Sequence, residues 1–175
     1  MLKTENLELR TPSEDLYEAL HRVTPCDEYY QMVGSDAVDS LFSNDEKFKK
    51  SFEESLKREN YWHVFSKGKI IGITFLHSLD QNDRRARFAV GIYNLENWNK
   101  GYGQEITTAV LQHAFSTLLL HKVELRVLAF NKRAINSYKK VGFIYEGTLR
   151  DNAYINNEWH DDIIMSILHS EYKAK

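Results

Sequence analysis

Apolar residues recur at every second position in some stretches and at every third or fourth in others, and these two periods divide the chain. Leu7-Glu8-Leu9-Arg10 alternates like a half-buried strand. Thr11-Pro12-Ser13-Glu14 then reads as a capping box with proline at the first helical position. Leu16, Ala19, Leu20 and Val23 follow at helical spacing, and Pro25 ends the run. Residues 26–42 are acidic and aromatic and predict loop with a short helix. Ser43-Asn44-Asp45-Glu46 is a second capping box, with Phe48, Phe52 and Leu56 on one helical face.

The pattern then changes to period two. Tyr61 to Ser66 and Ile70 to Leu79 are β-rich runs around Lys67-Gly68-Lys69, which predicts a hairpin. Asp80 to Asp83 marks the next turn, and Arg87 to Tyr93 a further strand. Ile106, Ala109, Val110, Ala114 and Leu118 form a helical stripe, and Val123 to Leu128 a buried-looking strand. A helix from Asn131 ends at Gly142, a left-handed cap with Phe143 as its apolar contact. Phe143 to Leu149 and Trp159 to Leu168 close the chain as a strand pair around Asn156-Asn157. The order is strand, two helices, antiparallel strands, helix, strand, helix and two strands. It predicts an α/β (α+β) fold in one domain over 1–175, with a mixed sheet and helices on both faces.

Composition narrows the class. A 175-residue chain that is 42% hydrophobic and 13% aromatic has enough apolar material for a packed core. A net charge of −2 argues against a dedicated nucleic-acid binder. No apolar run approaches a membrane span, and the first residues carry no targeting pattern. Cys26 is the only cysteine, so no intrachain disulfide forms. The default expectation is a cytoplasmic protein without nucleic-acid or membrane partners.

The most telling chemistry is Trp98-Asn99-Lys100-Gly101-Tyr102-Gly103-Gln104-Glu105, a glycine-rich turn opening a helix. Backbone N–H groups at the positive end of a helix make a seat for phosphate or pyrophosphate. A dinucleotide fingerprint needs a third glycine where Ile106 stands, and Glu124 begins its strand rather than ending it. The Gly-x4-Gly-Lys-Ser/Thr of a P-loop is absent. Both of those owners of the seat are excluded.

Lys100-Gly101-Tyr102-Gly103, followed by Asn131-x-x-Ala134-x-x-x-Tyr138-x-x-x-Gly142-Phe143, resembles the GNAT acetyltransferase superfamily, and more closely its RimJ/RimL-type branch. Glu146-Gly147-Thr148-Leu149-Arg150, leading to Asp161 and Met165, and the opening Leu7-Glu8-Leu9-Arg10 are similar to the same branch. The likeness covers nearly the whole chain and is thinnest over 26–60. It implies a GNAT-like, mostly antiparallel sheet with a splayed pair of parallel strands.

In such a fold acetyl-CoA, the implied co-substrate, lies in the V between those strands. The resemblance places the main chain of Val90, Gly91 and Ile92 against the pantetheine amides, with Gly91 suiting a bulge that splays the strands. Amides from Lys100, Gly101, Tyr102, Gly103 and Gln104 would cradle the pyrophosphate. Trp98 stands where many members carry Gln or Arg, which removes one side-chain phosphate contact. Asn131 matches the asparagine that bonds the pantetheine arm. Arg133, Lys139 and Lys140 are candidates for the 3′-phosphate, with solvated helix charge as the alternative. Tyr138 matches the general acid that protonates the departing thiolate.

Several members carry a glutamate where this chain has Arg87, which leaves the base unassigned. His77, Glu96, Glu124 and ordered water are the candidates. The acceptor is a small-molecule or peptide amine. The readings are a RimJ/RimL-like N-acetyltransferase, a spermidine or polyamine acetyltransferase, an amino-sugar nucleotide acetyltransferase, or a CoA-binding regulatory module without turnover. The acidic-aromatic stretch from Asp27 to Asp39 suits a polycation, whereas Arg84, Arg85 or Arg87 could meet substrate phosphates. The family also implies a homodimer. His160-Asp161-Asp162 lacks partner histidines at ligand spacing, so no metal is expected.

Overall fold

In a computed structural model, residues 1–34, 42 and 44–172 are described. Asp36 and Asp39 of the acidic-aromatic stretch and Ser43 of the second capping box lie outside them. The strands are β1 (Leu2–Lys3), β2 (Glu8–Arg10), β3 (Tyr61–Ser66), β4 (Lys69–Asp80), β5 (Arg85–Ile92), β6 (Lys122–Leu128), β7 (Ile144–Ile155) and β8 (Glu158–Leu168). The helices are α1 (Tyr17–His21), α2 (Asp27–Val33), α3 (Asp45–Ser55), α4 (Tyr102–Ser116) and α5 (Lys132–Val141). One eight-stranded sheet runs β1-β2-β3-β4-β5-β6-β8-β7. Every neighbouring pair is antiparallel except β5 and β6, which are parallel. The α/β class, the mostly antiparallel sheet and the parallel pair match the expectation.

The hairpins follow from local turn chemistry. Lys67 and Gly68 both have positive φ between β3 and β4, as do Asn156 and Asn157 between β7 and β8. That is the geometry of a two-residue turn whose twist suits the flanking strands. Gly142 closes α5 at φ 119, and Phe143 N–H returns to Tyr138 O at 3.0 Å. Two helix starts differ from expectation. The first helical turn begins at Glu14 as a 3-10 turn capped by Ser13, whose side chain makes no capping bond, so Thr11 and Pro12 lie before it. At α3 the cap is Asn44, whose Oδ1 accepts from the N–H groups of Glu46 and Lys47. Asparagine is among the preferred N-cap residues because its side-chain oxygen reaches the free N–H groups of the first turn.

The sheet buries both faces. Trp62, Val64, Phe88, Val123, Leu125 and Met165 pack under α4 and α5 around Ile106, Val110, Leu111 and Ile135. On the other face Phe65 packs with Leu16 and Leu20 and with Phe48 and Phe52 of α3. The β3 run is therefore continuously buried, unlike a one-sided strand. α2, the short helix expected in this stretch, lies against β5 on this second face through Tyr29 and Gly91.

His63 sits within β3 with both ring nitrogens buried and without a hydrogen-bond partner. Its ring stands edge-on to Tyr61 at 5.5 Å. Burial drives its pKa down from 6.5 to about 4, because an imidazolium there would lose its hydration. A depressed pKa makes the neutral form the stable one, so this stability is complete above pH 6.5 and is lost as pH falls towards 4. Unfolding free energy should drop by roughly 3 kcal/mol across that window. His63→Leu should flatten the slope in urea titrations at graded pH.

Candidate functional site

The site is made by a fork. β5 and β6 pair only at Arg85 with Lys122, Ala86 with Val123 and Arg87 with Glu124. Beyond that rung β5 stays on β4 as far as Ile92 opposite Gly72, and β6 stays on β8 as far as Leu128 opposite Asp162. Each strand is held by its outer neighbour while the inner edges part. A cleft of about 960 Å³ occupies the opening and extends to the start of α4 and to α5.

Gly91 does not make a bulge. The β4–β5 register is regular from Gly72 to His77, and its only shift lies between His77 and Asp80. The absent side chain serves another purpose, since a Cβ at 91 would come within 2.7 Å of the Tyr29 ring. Tyr29 thus lies on bare backbone and forms one wall of the cleft, bracketed by Tyr30 and Tyr93 at 5.4 and 5.3 Å. Burial raises its phenol pKa.

At the other end Gly101 adopts φ 81 as the N-cap of α4, and Tyr102, Gly103 and Gln104 form its first turn. An isolated Cβ at Gly101 would meet nothing within 4 Å, and one at Gly103 only Ser137 Oγ at 3.5 Å. The surface there is bare main chain at a positive helix end, which fits an anionic group. The donor set is narrower than expected, because Gln104 N–H already donates to Gly101 O at 3.0 Å. Lys100 is displaced too: it borders a smaller hollow on the other side of the turn with Glu96, while Tyr102 borders both.

Trp98 donates its indole N–H to Ile92 O at 2.9 Å, tying the turn to the end of β5. The Arg133 guanidinium lies 3.3 Å over that indole, a cation–π contact that links the turn to α5 across the cleft. This pair was not foreseen, although an aromatic at 98 and an arginine at the start of α5 were both visible. Asn131 caps α5 by accepting from Ala134 N–H at 3.1 Å, and its Nδ2 donates to Met32 O at 3.4 Å. Its amide is therefore engaged with the protein at both ends. Lys140 borders the cleft, and Lys139 does not.

Tyr138 is buried on α5, edge-on to Phe88 at 6.3 Å and beside Phe143 at 5.8 Å. Burial pushes its pKa up to about 12, with the Arg133 cation opposing, so the phenol carries its proton across the neutral range. The second face of the fork is polar. Arg87 Nε donates to Glu124 at 2.8 Å, and Arg126 Nε lies 3.3 Å from Asp162. Of the proposed bases, His77 and Glu124 border the cleft and Glu96 does not. The structure thus brings Val90, Gly91, Ile92, Gly101, Tyr102, Gly103, Gln104, Asn131 and Tyr138 around one cleft and leaves Lys100 outside it. Among the described residues no His, Cys, Asp or Glu side chains group as a metal site.

The profile of the acetyltransferase (GNAT) domain matches residues 6–144. The chain belongs to the GNAT family. It is an acyltransferase of the N-acetyltransferase type. It is 28% identical over 173 residues to the uncharacterized N-acetyltransferase YoaA of Bacillus subtilis, with 96% of each chain covered. It is 33% identical over 103 residues to the spermidine N(1)-acetyltransferase of Vibrio cholerae, covering 59% of each. Among solved structures, the Vibrio cholerae spermidine N-acetyltransferase in complex with CoA and spermine superposes with a TM-score of 0.82 at 23% identity, covering 97% of this chain and 99% of that one. A GNAT-family acetyltransferase from Bacillus anthracis gives 0.81 at 20% identity, covering 97% and 99%. The two structural likenesses establish the fold, and the Vibrio cholerae structure holds CoA. No helix of the described residues is long and apolar enough to cross a membrane.

The fit of Tyr29 on Gly91 is open to a direct check. Gly91→Ala should cost about 1–3 kcal/mol by overpacking, read as a lower denaturation midpoint in urea with an unchanged slope.

Proposed function

We propose that this GNAT enzyme transfers acetyl from acetyl-CoA to a primary amine of a small molecule or a peptide N-terminus, as a RimJ/RimL-like member. The observation that carries this reading is the fork between β5 and β6, which opens onto the bare first turn of α4 at one end and borders Tyr138. In this reading the first-turn amides of Tyr102 and Gly103 receive the pyrophosphate. The unpaired edge at Val90 to Ile92 takes the amide-bearing arm as an added strand would. Tyr138 delivers its proton to the departing sulfur. The domain is taken to span 1–175, working alone or as a pair of like copies.

A spermidine acceptor is the second reading, favoured by the Vibrio cholerae relative named for that reaction. Against it, the described carboxylates that border the cleft, Glu124 and Asp162, are each paired with an arginine. An amino-sugar nucleotide stands third, with Arg85 and Arg87 bordering the cleft.

Acetyl-CoA at 100-fold over its Kd should stabilise the native state by about 2.7 kcal/mol, a rise in melting temperature of roughly 5–10 °C for a chain of this size. Gly103→Glu, which sets a carboxylate in the anion seat, should abolish that rise; an undiminished rise would move the seat elsewhere. Tyr138→Phe should lower kcat by about 10²–10⁴-fold in a thiol-release assay while leaving acetyl-CoA affinity nearly intact. Unchanged turnover would remove its role as acid.

A further inference from the structure

Arg87 occupies the strand position at which a base was sought, and it is the last residue of β5 that pairs with β6. Among the described residues, three side chains bordering the cleft are imidazole or carboxylate, the candidate proton acceptors: His77, Glu124 and Asp162. Two are committed. Glu124 receives the Arg87 Nε–H at 2.8 Å, and Asp162 is held by Arg126 at 3.3 Å and by Asn152 Nδ2 at 2.7 Å. The oxygens of both carboxylates are thus already engaged by donors of the protein itself.

His77 is placed differently. It lies opposite Arg87 on β4, so it extends the same rung that ends the β5–β6 pairing. The following residue, Ser78, adopts φ 50 where the register shifts, and its hydroxyl comes 3.0 Å from His77 Nδ1. With Nδ1–H donating to Ser78 Oγ, the lone pair is on Nε2. On the opposite face of the sheet, Phe88, next along β5 from Arg87, meets the Tyr138 ring edge-on at 6.3 Å. Two neighbouring rungs of the sheet, His77 opposite Arg87 and Leu76 opposite Phe88, therefore carry a hydrogen-bonded imidazole on one side and reach the buried phenol on the other.

We infer that His77 Nε2 is the proton acceptor for the attacking amine, and this rests on the acetyltransferase reading above. The amine nitrogen forms a bond to the thioester carbonyl carbon, whose π pair moves to oxygen. The nitrogen, now positively charged, gives a proton to His77 Nε2. The C–S bond breaks as the carbonyl reforms, and the sulfur takes its proton from Tyr138. Solvent then returns the proton from the imidazolium to the phenolate, leaving amide and free thiol. The groups facing the ring agree with this role. Burial and the cations Arg87 and Arg126 lower the His77 pKa below 6.5 against the opposing pull of Glu124, so the ring is neutral and basic at pH 7. Ser78 Oγ occupies Nδ1 and leaves Nε2 as the nitrogen without a partner in the ring's own strand.

The experiment uses the whole chain with acetyl-CoA and, in turn, spermidine, an amino-sugar nucleotide and an N-terminal peptide as acceptors. His77→Gln should lower kcat by on the order of 10²-fold or more while keeping the acetyl-CoA melting shift. It should also remove from the pH profile of kcat/KM the ionisation below 6.5 that belongs to His77, leaving only the limb set by protonation of the acceptor amine. Imidazole added to His77→Ala should restore turnover at least about tenfold, which a merely structural role would not allow. In the free enzyme, the ring proton resonance of His77, assigned by its loss in His77→Gln, should titrate below 6.5. Turnover within about twofold of native with that ionisation still present, or a ring that titrates above about pH 7, overturns the assignment. A native enzyme that binds acetyl-CoA yet releases no thiol with any of the amines overturns the transferase reading itself, and the role of His77 with it.

Discussion

Everything at the site depends on where the hydrogen bonding between β5 and β6 stops. Backbone N–H and C=O groups must find partners, and past Arg87 and Glu124 the two strands no longer supply each other's. They remain ordered because β4 and β8 hold their outer edges along the full length of the opening. The inner edges are then donors and acceptors at strand spacing facing a cavity. Such an edge recognises chains that carry amides of their own, whatever their side groups. Trp98 takes up one of these groups, Ile92 O, and thereby fixes the turn that opens α4.

The charged groups on the second face do a different kind of work. Arg87 and Arg126 are more than half exposed, so their ion pairs with Glu124 and Asp162 add little to stability in water. Asp162, however, is nearly fully buried, and its charge requires both Arg126 and Asn152. These contacts bridge β5 to β6 and β6 to β8 across the floor of the cleft. Their value is orientation, because they fix where the two guanidinium groups stand at the border of the cleft.

Features governed by a few consecutive residues were legible in the sequence. The Lys67-Gly68 and Asn156-Asn157 turns, the helix start at Asn131 and the Gly142 stop all follow from local rules of backbone and side-chain geometry, and the structure has them. The glycine turn before α4 was equally readable. What escaped notice is non-local. Gly91 looks like a bulge residue from its own strand, and only the arrival of Tyr29 from α2, some 60 residues earlier, gives its size a reason. Gln104 lost its place as a free donor to a 3-10 closure of the first turn. Lys100 borders the smaller hollow, although Asn99 and Gly101 on either side of it border the cleft. The Trp98 and Arg133 contact joins residues whose types were evident but whose meeting depends on how α5 docks beside α4.

The alternation of β5 has a further effect. Ala86 and Phe88 point into the core beneath α4 and α5, whereas Arg87 and Gly91 point to the opposite face. One strand thus serves two surfaces at once: its even-numbered side chains are committed to the core, and only odd-numbered ones such as Arg87 are free to vary at the border of the cleft without unpacking the fold.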